Sequence, residues 1–206
     1  MNKFFLQISV FFAFNLAARS LEVISGGMCS GKSAELLRRL DLCRHAEQKF
    51  VVFKPAKSFL SESIESRNGS SREAIVLQDS ELCKIAETIS NDKDIKVLAF
   101  DEFQFFPAQI IQEIYSILHN KEINARIIVS GLDKDFAGKP FGPMGDILAM
   151  ADRVEKFTAI CHVCKQDNAT MSMRVVENTD VVLTAKESYV PVCREHLYIP
   201  GEQLSK

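Results

Sequence analysis

The chain has 206 residues, of which 47% are hydrophobic and 25% are charged, and its formal net charge is -2. This length predicts one domain, or one domain with a small appendage, around a continuous core. The charge balance and a pI of about 6.1 exclude a general electrostatic attraction to nucleic acid. Six cysteines in a chain of this size are too sparse for a secreted disulfide scaffold.

The first twenty residues resemble a signal peptide. An apolar run follows Lys3, and Ala18-Arg19-Ser20 matches a small-x-small cleavage pattern. The run is too short, and too often interrupted by polar residues, to predict a transmembrane helix. We interpret residues 1–20 as an extension of the folded domain, either signal-like or the result of a misassigned start.

From Leu21 onward, short apolar strands alternate with amphipathic helices. The predicted strands are LEVIS, FVVFK, AIVL, IKVLAF and ARIIVSG. The predicted helices are SAELLRRLDLCRHAEQ, DSELCKIAETI (opened by Asp79 or Ser80) and PAQIIQEIYSILHNK (opened by Pro107). The polar stretch 55–72 is predicted to be a long surface loop. This alternation predicts an α/β fold with a mostly parallel sheet flanked by helices.

The pattern changes from about Phe157. Cysteine pairs and short β-like runs, MSMRVV and DVVLTA, replace the alternation, and no convincing helix follows. We therefore predict a main domain over 21–154, a small metal-binding appendage over 155–200 and a tail over 201–206.

The turn after the first strand, GGMCSGKS, matches the P-loop pattern at every defined position. In such loops glycines let backbone N–H groups wrap phosphates, the lysine reaches the β- and γ-phosphates, and the final serine ligates Mg²⁺. The loop lies between a predicted strand and a predicted helix, which favours this interpretation over a glycine-rich turn that only caps a helix. The predicted phosphate-binding residues are Gly26, Gly27, Met28, Cys29, Ser30, Gly31, Lys32 and Ser33.

Two acids, Asp101 and Glu102, close the strand KVLAF. In a P-loop protein the first is expected to hold Mg²⁺, directly or through water, and the second to orient or deprotonate a nucleophile. Acids at a strand end are more often simple surface residues. The P-loop upstream favours the functional interpretation.

Two close pairs near the C-terminus, Cys161-x-x-Cys164 and Cys193-x-x-His196, have the spacing of a zinc site. Four protein ligands leave no open position, so the predicted Zn²⁺ is structural and stabilises a segment too small for its own core. His162 lies inside the first pair, and we predict that it is not a ligand. The alternative is a group of buried free thiols without metal.

These motifs, in this order, resemble the thymidine kinase family of the zinc-containing type. The resemblance runs from Leu21 to about Tyr198 and rests on LEVISGGMCSGKSAELLRR, FDEFQFF, GLDKDFAGKPFGPM, CHVC and ESYVPVCREH. It implies a RecA-like P-loop fold with a C-terminal zinc-binding lasso. It also implies Mg²⁺-dependent transfer of the ATP γ-phosphoryl group to the 5′-hydroxyl of thymidine, and of deoxyuridine, in pyrimidine deoxynucleotide salvage for DNA synthesis.

The resemblance further implies a role for each matching position. Glu102 is expected to be the general base. The ATP site is expected to include, besides the P-loop, Asp101, Glu102, Phe103 and Gln104. The nucleoside pocket is expected to be formed by Met28, Phe105, Leu132, Phe136, the backbone of Val182, and Tyr189. The family also implies a cytoplasmic homotetramer that is inhibited by the end product dTTP and has no nucleic-acid or membrane partner.

Two departures from the family pattern stand out. The stretch KPAKSFLSESIESRNG lacks the family's Asp-x-Arg pair, whose arginine contacts phosphate, and Arg67 and Arg72 are the candidates to replace it. Ala137 stands where bacterial members often carry a basic residue. Two other functions stay open: a nucleoside-binding homologue with reduced turnover, and a P-loop ATPase with a zinc ribbon that acts on nucleic acid.

Overall fold

A computed structural model describes residues 19–58, 63–65, 69, 71–175 and 189–198. The apolar N-terminal run, the predicted DVVLTA strand, Val182 and the tail from 201 lie outside these residues. Every helix in the described part of the chain is too short or too polar to cross a lipid bilayer.

The described residues form short strands and helices in alternation. The strands are β1 (Leu21–Gly26), β2 (Lys49–Pro55), β3 (Ser63–Glu65), β4 (Ser71–Glu73), β5 (Ile75–Leu77), β6 (Ile95–Phe100), β7 (Arg126–Gly131), β8 (Arg153–Phe157), β9 (Ala159–Ile160), β10 (Asp167–Ala169), β11 (Met171–Arg174) and β12 (Tyr189–Val192). The helices are α1 (Lys32–His45), α2 (Cys83–Asn91), α3 (Ile110–His119) and α4 (Met144–Met150).

A parallel sheet with strand order β5-β2-β6-β7-β1-β8 forms the centre of the fold. Helix α1 packs on one face, where Leu36 and Leu40 meet Ile24, and α2, α3 and α4 pack on the other. Apolar side chains therefore point to both faces of the central strands, which explains their near-continuous apolar sequence. The predicted fold class is confirmed.

Two helices begin later than the sequence indicated. A short 3-10 turn over Asp79–Glu81 precedes α2, and the Gln78 backbone N–H donates a hydrogen bond of 3.0 Å to the Glu81 carboxylate there. Before α3, the carbonyl groups of Pro107 and Ala108 accept hydrogen bonds from Ile110 and Ile111 in a preliminary turn. Both helices occupy the predicted segments; their first turns differ, and each helix ends two residues from its predicted end.

Three features differ from the sequence analysis. Strands β3 and β4 pair as an antiparallel hairpin inside the stretch predicted to be a loop, and the fully buried Ile64 anchors this hairpin beneath α1. Helix α4 was not predicted, because its seven residues are too few to show a helical period. Strand β8 pairs with β1, so the main sheet extends to Phe157, past the boundary predicted at residue 154.

After β8 the chain forms two small hairpins, β9 with β10 and β11 with β12. Their buried core consists of Ala159, Cys161, Ala169, Met171, Val192 and Cys193. A core of this size cannot stabilise a domain alone, so these hairpins depend on the main sheet or on a bound metal.

A buried ion network fixes α1 on the sheet. Arg39 of α1 contacts Glu22 of β1 at 2.6 Å, Glu35 of its own helix at 2.9 Å, and Glu155 of β8 at 2.8 Å. Arg126 of β7 contacts the second carboxylate oxygen of Glu22 at 3.2 Å. The network thus joins α1 to three neighbouring strands, and it sets the position of the helix that follows the P-loop.

We expect Arg39→Ala to lower the free energy of unfolding by about 3 kcal/mol, because it removes the closest cation from the buried Glu22 carboxylate. Urea denaturation measures the change. The neighbouring Arg38 is exposed and pairs with Glu35 at 2.7 Å, so the control Arg38→Ala is expected to cost less than about 1 kcal/mol. Equal losses in the two variants would contradict the role of the network.

Candidate functional site

Three strands deliver the candidate functional residues to one edge of the sheet. Strand β7 lies between β1 and β6, and all three run in the same direction, so their carboxyl ends meet at that edge. The P-loop follows β1, the pair Asp101 and Glu102 follows β6, and Leu132 follows β7. Ligand sites of open α/β sheets lie at such an edge.

The P-loop has the backbone geometry of an anion-binding turn. Gly26 has φ 147°, and a Cβ atom there would lie 2.4 Å from the carbonyl oxygen of Phe157, so only glycine fits against β8. Gly31, which has φ 88°, is the N-cap residue of α1 and has no side chain to accept hydrogen bonds from the helix. The first N–H groups of α1 therefore have no side-chain acceptor and can bind a phosphate.

Lys32 of the P-loop lies within the electrostatic influence of the acids at the sheet edge. Its Nζ donates a hydrogen bond to the Gly27 carbonyl oxygen at 2.7 Å. Burial lowers the pKa of Lys32, and the negative charges of Glu102, Asp101 and Asp133 oppose that effect. The ammonium group therefore lies in the field of the acids, close to the loop where phosphates would bind.

Asp101 is a buried carboxyl group with a perturbed pKa. Its backbone N–H donates to the Phe53 carbonyl oxygen at 3.0 Å, which fixes the end of β6 against β2. Burial and then the charge of Glu102 raise the pKa of Asp101 to about 7. A divalent cation would relieve both effects. Carboxylate and hydroxyl oxygens are ligands that Mg²⁺ accepts, so Asp101 and Ser33 fit that ion.

Glu102 is held in an unusual backbone conformation. It has φ 52° and ψ 41°, which is the left-handed region, immediately before the 3-10 turn Phe103–Phe105. Its Oε2 accepts a hydrogen bond of 2.5 Å from Gln104 Nε2, and Gln104 Oε1 accepts one of 2.9 Å from the backbone N–H of Leu132. Strained residues of this kind occur preferentially at functional sites.

The side chains of two residues expected at the ATP site, Gln104 and Phe103, are buried. The Gln104 side chain bridges Glu102 and Leu132. Phe103 is fully buried, and its ring centroid lies 6.1 Å from that of Phe100 and 5.6 Å from that of Phe106. The Phe103 side chain is thus a core residue without exposed surface to meet a nucleotide.

The described residues that are expected to form the nucleoside pocket are all half-buried, as residues that line an open site are. They are Met28, Phe105, Leu132, Phe136 and Tyr189. The Phe105 ring meets Phe141 edge-on at 5.4 Å between centroids. The Arg174 guanidinium lies 4.0 Å from the Phe136 ring centroid and donates to the Tyr189 hydroxyl at 2.8 Å. Arg174 thus contacts two of these five residues, Phe136 and Tyr189, and holds them close together.

Two residues of β11 at this site were not identified from the sequence. Arg174 is buried between Phe136 and Tyr189, as described above. The Ser172 hydroxyl accepts a hydrogen bond of 3.0 Å from the backbone N–H of Met28, and it joins the appendage to the P-loop. The segment MSMR contains no recognisable motif, and these contacts bridge residues that are distant in sequence. Only the folded chain reveals them.

Arg72 does not replace the missing family arginine. It contacts Asp41 on α1 and donates to the Ser71 carbonyl oxygen at 2.6 Å. Asp41 lies roughly 13 Å along the axis of α1 from Lys32, which is far from the phosphate loop. Arg67 lies outside the described residues.

The predicted metal ligands converge. The ligand atoms of Cys161, Cys164, Cys193 and His196 all lie within 4.8 Å of one another. His196 Nδ1 lies 3.0 Å from Cys193 Sγ and 3.8 Å from Cys161 Sγ. Ligands in a tetrahedral zinc site, with bonds of about 2.0–2.3 Å, are separated by roughly 3.5 Å. The donor set and its spacing therefore fit Zn²⁺.

Backbone groups around Cys161 favour its thiolate. Burial raises the pKa of this thiol, but hydrogen bonds from the N–H groups of Cys164, Cys193 and Val163 outweigh it and lower the pKa to about 6. Burial raises the pKa of the Cys193 thiol. Two thiols this close resist joint ionisation unless a cation lies between them. The exposed His162 donates its backbone N–H to the Pro191 carbonyl oxygen at 2.8 Å, and its own carbonyl oxygen accepts a hydrogen bond from Lys165 Nζ.

Comparisons with known proteins agree with this geometry. The thymidine kinase family model matches residues 19–197. Thymidine kinase from Ureaplasma urealyticum serovar 10 is 38% identical over 198 residues, which cover 92% of this chain and 87% of the relative. Thymidine kinase from Ureaplasma parvum serovar 3 is 36% identical with the same coverage.

A solved structure, domain III of the Thermotoga maritima replication initiation protein DnaA, aligns with a TM-score of 0.40 and 14% identity over 69% of this chain and 57% of that one. That likeness is too weak to support an argument. The family match and the identity to the Ureaplasma enzymes are sufficient by themselves. With its P-loop, its acid pair and its four converging cysteine and histidine side chains, this chain belongs to the thymidine kinase family.

Proposed function

We propose that this protein transfers the γ-phosphoryl group of ATP to the 5′-hydroxyl of thymidine, and of deoxyuridine. The observation that carries the proposal is the meeting of Lys32, Asp101 and Glu102 at one sheet edge, beside half-buried apolar side chains, in a chain of this family. In this proposal the edge would supply a phosphate loop, a metal ligand and a general base to one bound nucleoside.

Each side chain then has a distinct task. Glu102 accepts the proton of the 5′-hydroxyl while that oxygen forms a bond to the γ-phosphorus, and the bond from this phosphorus to the β–γ bridging oxygen breaks to release ADP. The Lys32 ammonium stabilises negative charge on the transferred group. Ser33 and Asp101 would hold Mg²⁺, which neutralises phosphate charge when it is bound.

The pocket residues account for the choice of nucleoside. A flat pyrimidine base fits between apolar walls, and a few fixed polar groups orient it. Met28, Phe105, Leu132, Phe136 and Tyr189 would supply the walls, and the backbone of Val182 would supply a hydrogen bond to the base edge. We also propose, from the family resemblance, a cytoplasmic homotetramer that is inhibited by dTTP.

A second candidate is a nucleoside-binding homologue with reduced turnover. The missing Asp-x-Arg pair favours it, since Arg72 is committed to Asp41 away from the P-loop. The assay that follows separates the two candidates, because a homologue of this kind binds thymidine without consuming ATP.

With ATP and Mg²⁺, the purified protein is expected to convert thymidine to its 5′-monophosphate and to convert deoxyadenosine poorly, because a purine exceeds the space that a pyrimidine fills. A coupled assay of ADP release measures both rates. Equal turnover of the two nucleosides would contradict the pocket assignment, and thymidine binding without turnover would favour the second candidate.

Glu102→Gln is expected to preserve the fold and ATP binding but to lower kcat by roughly 10²- to 10⁴-fold, because it removes the base and keeps the shape of the side chain. Lys32→Ala is expected to weaken both ATP binding and turnover, because the ammonium meets phosphate charge before and during transfer. Steady-state kinetics with ATP titrations measure the two effects. A Glu102→Gln protein with wild-type kcat would show that another group is the base.

We also propose that the Cys161, Cys164, Cys193 and His196 cluster holds one structural Zn²⁺. The support is the convergence of four soft donors in an appendage whose own core is small. A metal here would fix the hairpins that carry Arg174 and Ser172 against the nucleoside pocket and the P-loop. Its contribution to catalysis would therefore be indirect.

Metal analysis is expected to find about one zinc per chain, and Cys161→Ser is expected to lose it, melt at a lower temperature and bind thymidine weakly, because the hairpins lose their cross-link. The matched control is Cys83→Ser on α2, since Cys83 is exposed and away from the cluster. A zinc-free preparation with full stability and activity would refute the metal site.

A further inference from the structure

Gln104 is buried, with 3% of its surface exposed, between two groups of the candidate active site. One end of its side chain contacts the Glu102 carboxylate at 2.5 Å, and the other end contacts the backbone N–H of Leu132 at 2.9 Å. A buried amide with both ends bonded is held in one orientation. The bridge therefore sets the distance between Glu102 and the first residue after β7.

The chemistry of the two partners fixes which way the amide points. A backbone N–H only donates, so the atom that faces Leu132 must be the amide oxygen. The amide NH₂ then faces Glu102 and donates to its carboxylate. A flipped amide would set two donors against each other at Leu132 and two acceptors at Glu102.

The surroundings of Gln104 leave it little freedom. A Cβ atom on Gly131 would lie 2.9 Å from Gln104 Oε1, and a Cβ on Gly142 would lie 2.1 Å from the Gln104 carbonyl oxygen. Glycine at 131 lets the chain approach the side-chain amide this closely, and glycine at 142 lets it approach the Gln104 backbone carbonyl. Gly142 also has φ 52°, a conformation that glycine adopts readily.

We propose that Gln104 is a positioning residue for phosphoryl transfer, holding one oxygen of Glu102 so that the other faces the nucleoside 5′-hydroxyl. Gln104 bonds Oε2, and Oε1 accepts no hydrogen bond from the described residues. Because Leu132 is a proposed wall of the nucleoside pocket, the same amide connects the general base Glu102 to that pocket. This inference rests on the proposed role of Glu102, and it differs from the expectation that Gln104 contacts ATP.

The test substitutes Gln104→Met, which keeps the length of the side chain and removes both hydrogen bonds. We expect kcat for thymidine to fall by about 10- to 100-fold, the effect of losing a hydrogen bond to a charged group, while the KM for ATP changes less than about 2-fold. Gln112→Met, on the exposed side of α3, is the matched control and is expected to leave both values unchanged.

The same substitution in the Glu102→Gln background identifies the route of the effect. If Gln104 acts through Glu102, Gln104→Met lowers kcat by less than about 3-fold there, because residues that act as a unit are not additive. An equal loss in both backgrounds would overturn the proposal, as would a raised KM for ATP with unchanged kcat. A wild-type kcat in the single variant would also overturn it.

Gln104→Glu serves as a second variant should Gln104→Met fail to fold, which thermal melting reports. It keeps an acceptor for Leu132 and sets a second carboxyl group against Glu102, so we expect at least the same loss of kcat. Wild-type kcat in this variant would overturn the proposal. Failure of the proposed function is a separate result, because it shows as absent thymidine turnover in the unsubstituted protein or as full turnover by Glu102→Gln.

Discussion

The common direction of β1, β7 and β6 determines where the proposed active-site residues meet. Because these neighbours are parallel, the chain leaves all three at the same edge, and residues far apart in sequence meet there. An antiparallel neighbour would deliver its following loop to the opposite edge. The ion pair of Arg39 and Glu22 stabilises this arrangement, because it holds α1 against β1, the strand that precedes the P-loop. The direction of the strands thus determines where the site lies, and the individual side chains determine only what it can bind.

The sequence predicted what depends on local pattern. Alternating apolar runs indicated the parallel sheet, and the spacing of the P-loop and of the cysteine pairs indicated their ligands. It did not predict what depends on contacts between distant segments. The three-residue strand that contains Ile64 is too short to show a periodic pattern, so the burial of Ile64 could not be predicted. The hydrogen bond between Ser172 and Met28 forms only in the folded chain, where β11 lies beside the P-loop. The motif around Phe103 and Gln104 likewise gave no indication of where their side chains point, because a motif gives the order of residues and not the direction of each side chain.

The appendage and the P-loop are closer neighbours than their separation in sequence suggests. Strand β12, which ends immediately before the proposed metal ligand Cys193, pairs with β11, and the Ser172 hydroxyl of β11 accepts a hydrogen bond from the Met28 N–H. Lys134 donates to the Thr170 carbonyl oxygen at 3.2 Å beside the same strand. A zinc ion at the four ligands would therefore be separated from the phosphate loop by only one pair of strands. Such an ion, although it would have no open coordination position, would act on catalysis through the position of these strands.

The left-handed backbone conformation of Glu102 lowers the stability of the fold at the position where the proposed reaction needs a carboxylate. A side chain with a Cβ atom pays about 1 kcal/mol to adopt such a conformation, and asparagine tolerates it better than glutamate does. A chain with asparagine at position 102 would fold more stably and would lack the carboxylate in the place where a proton must be accepted. A redesign of this protein for thermal stability alone would therefore replace the proposed base among its first changes, so position 102 has to be held fixed in any such effort.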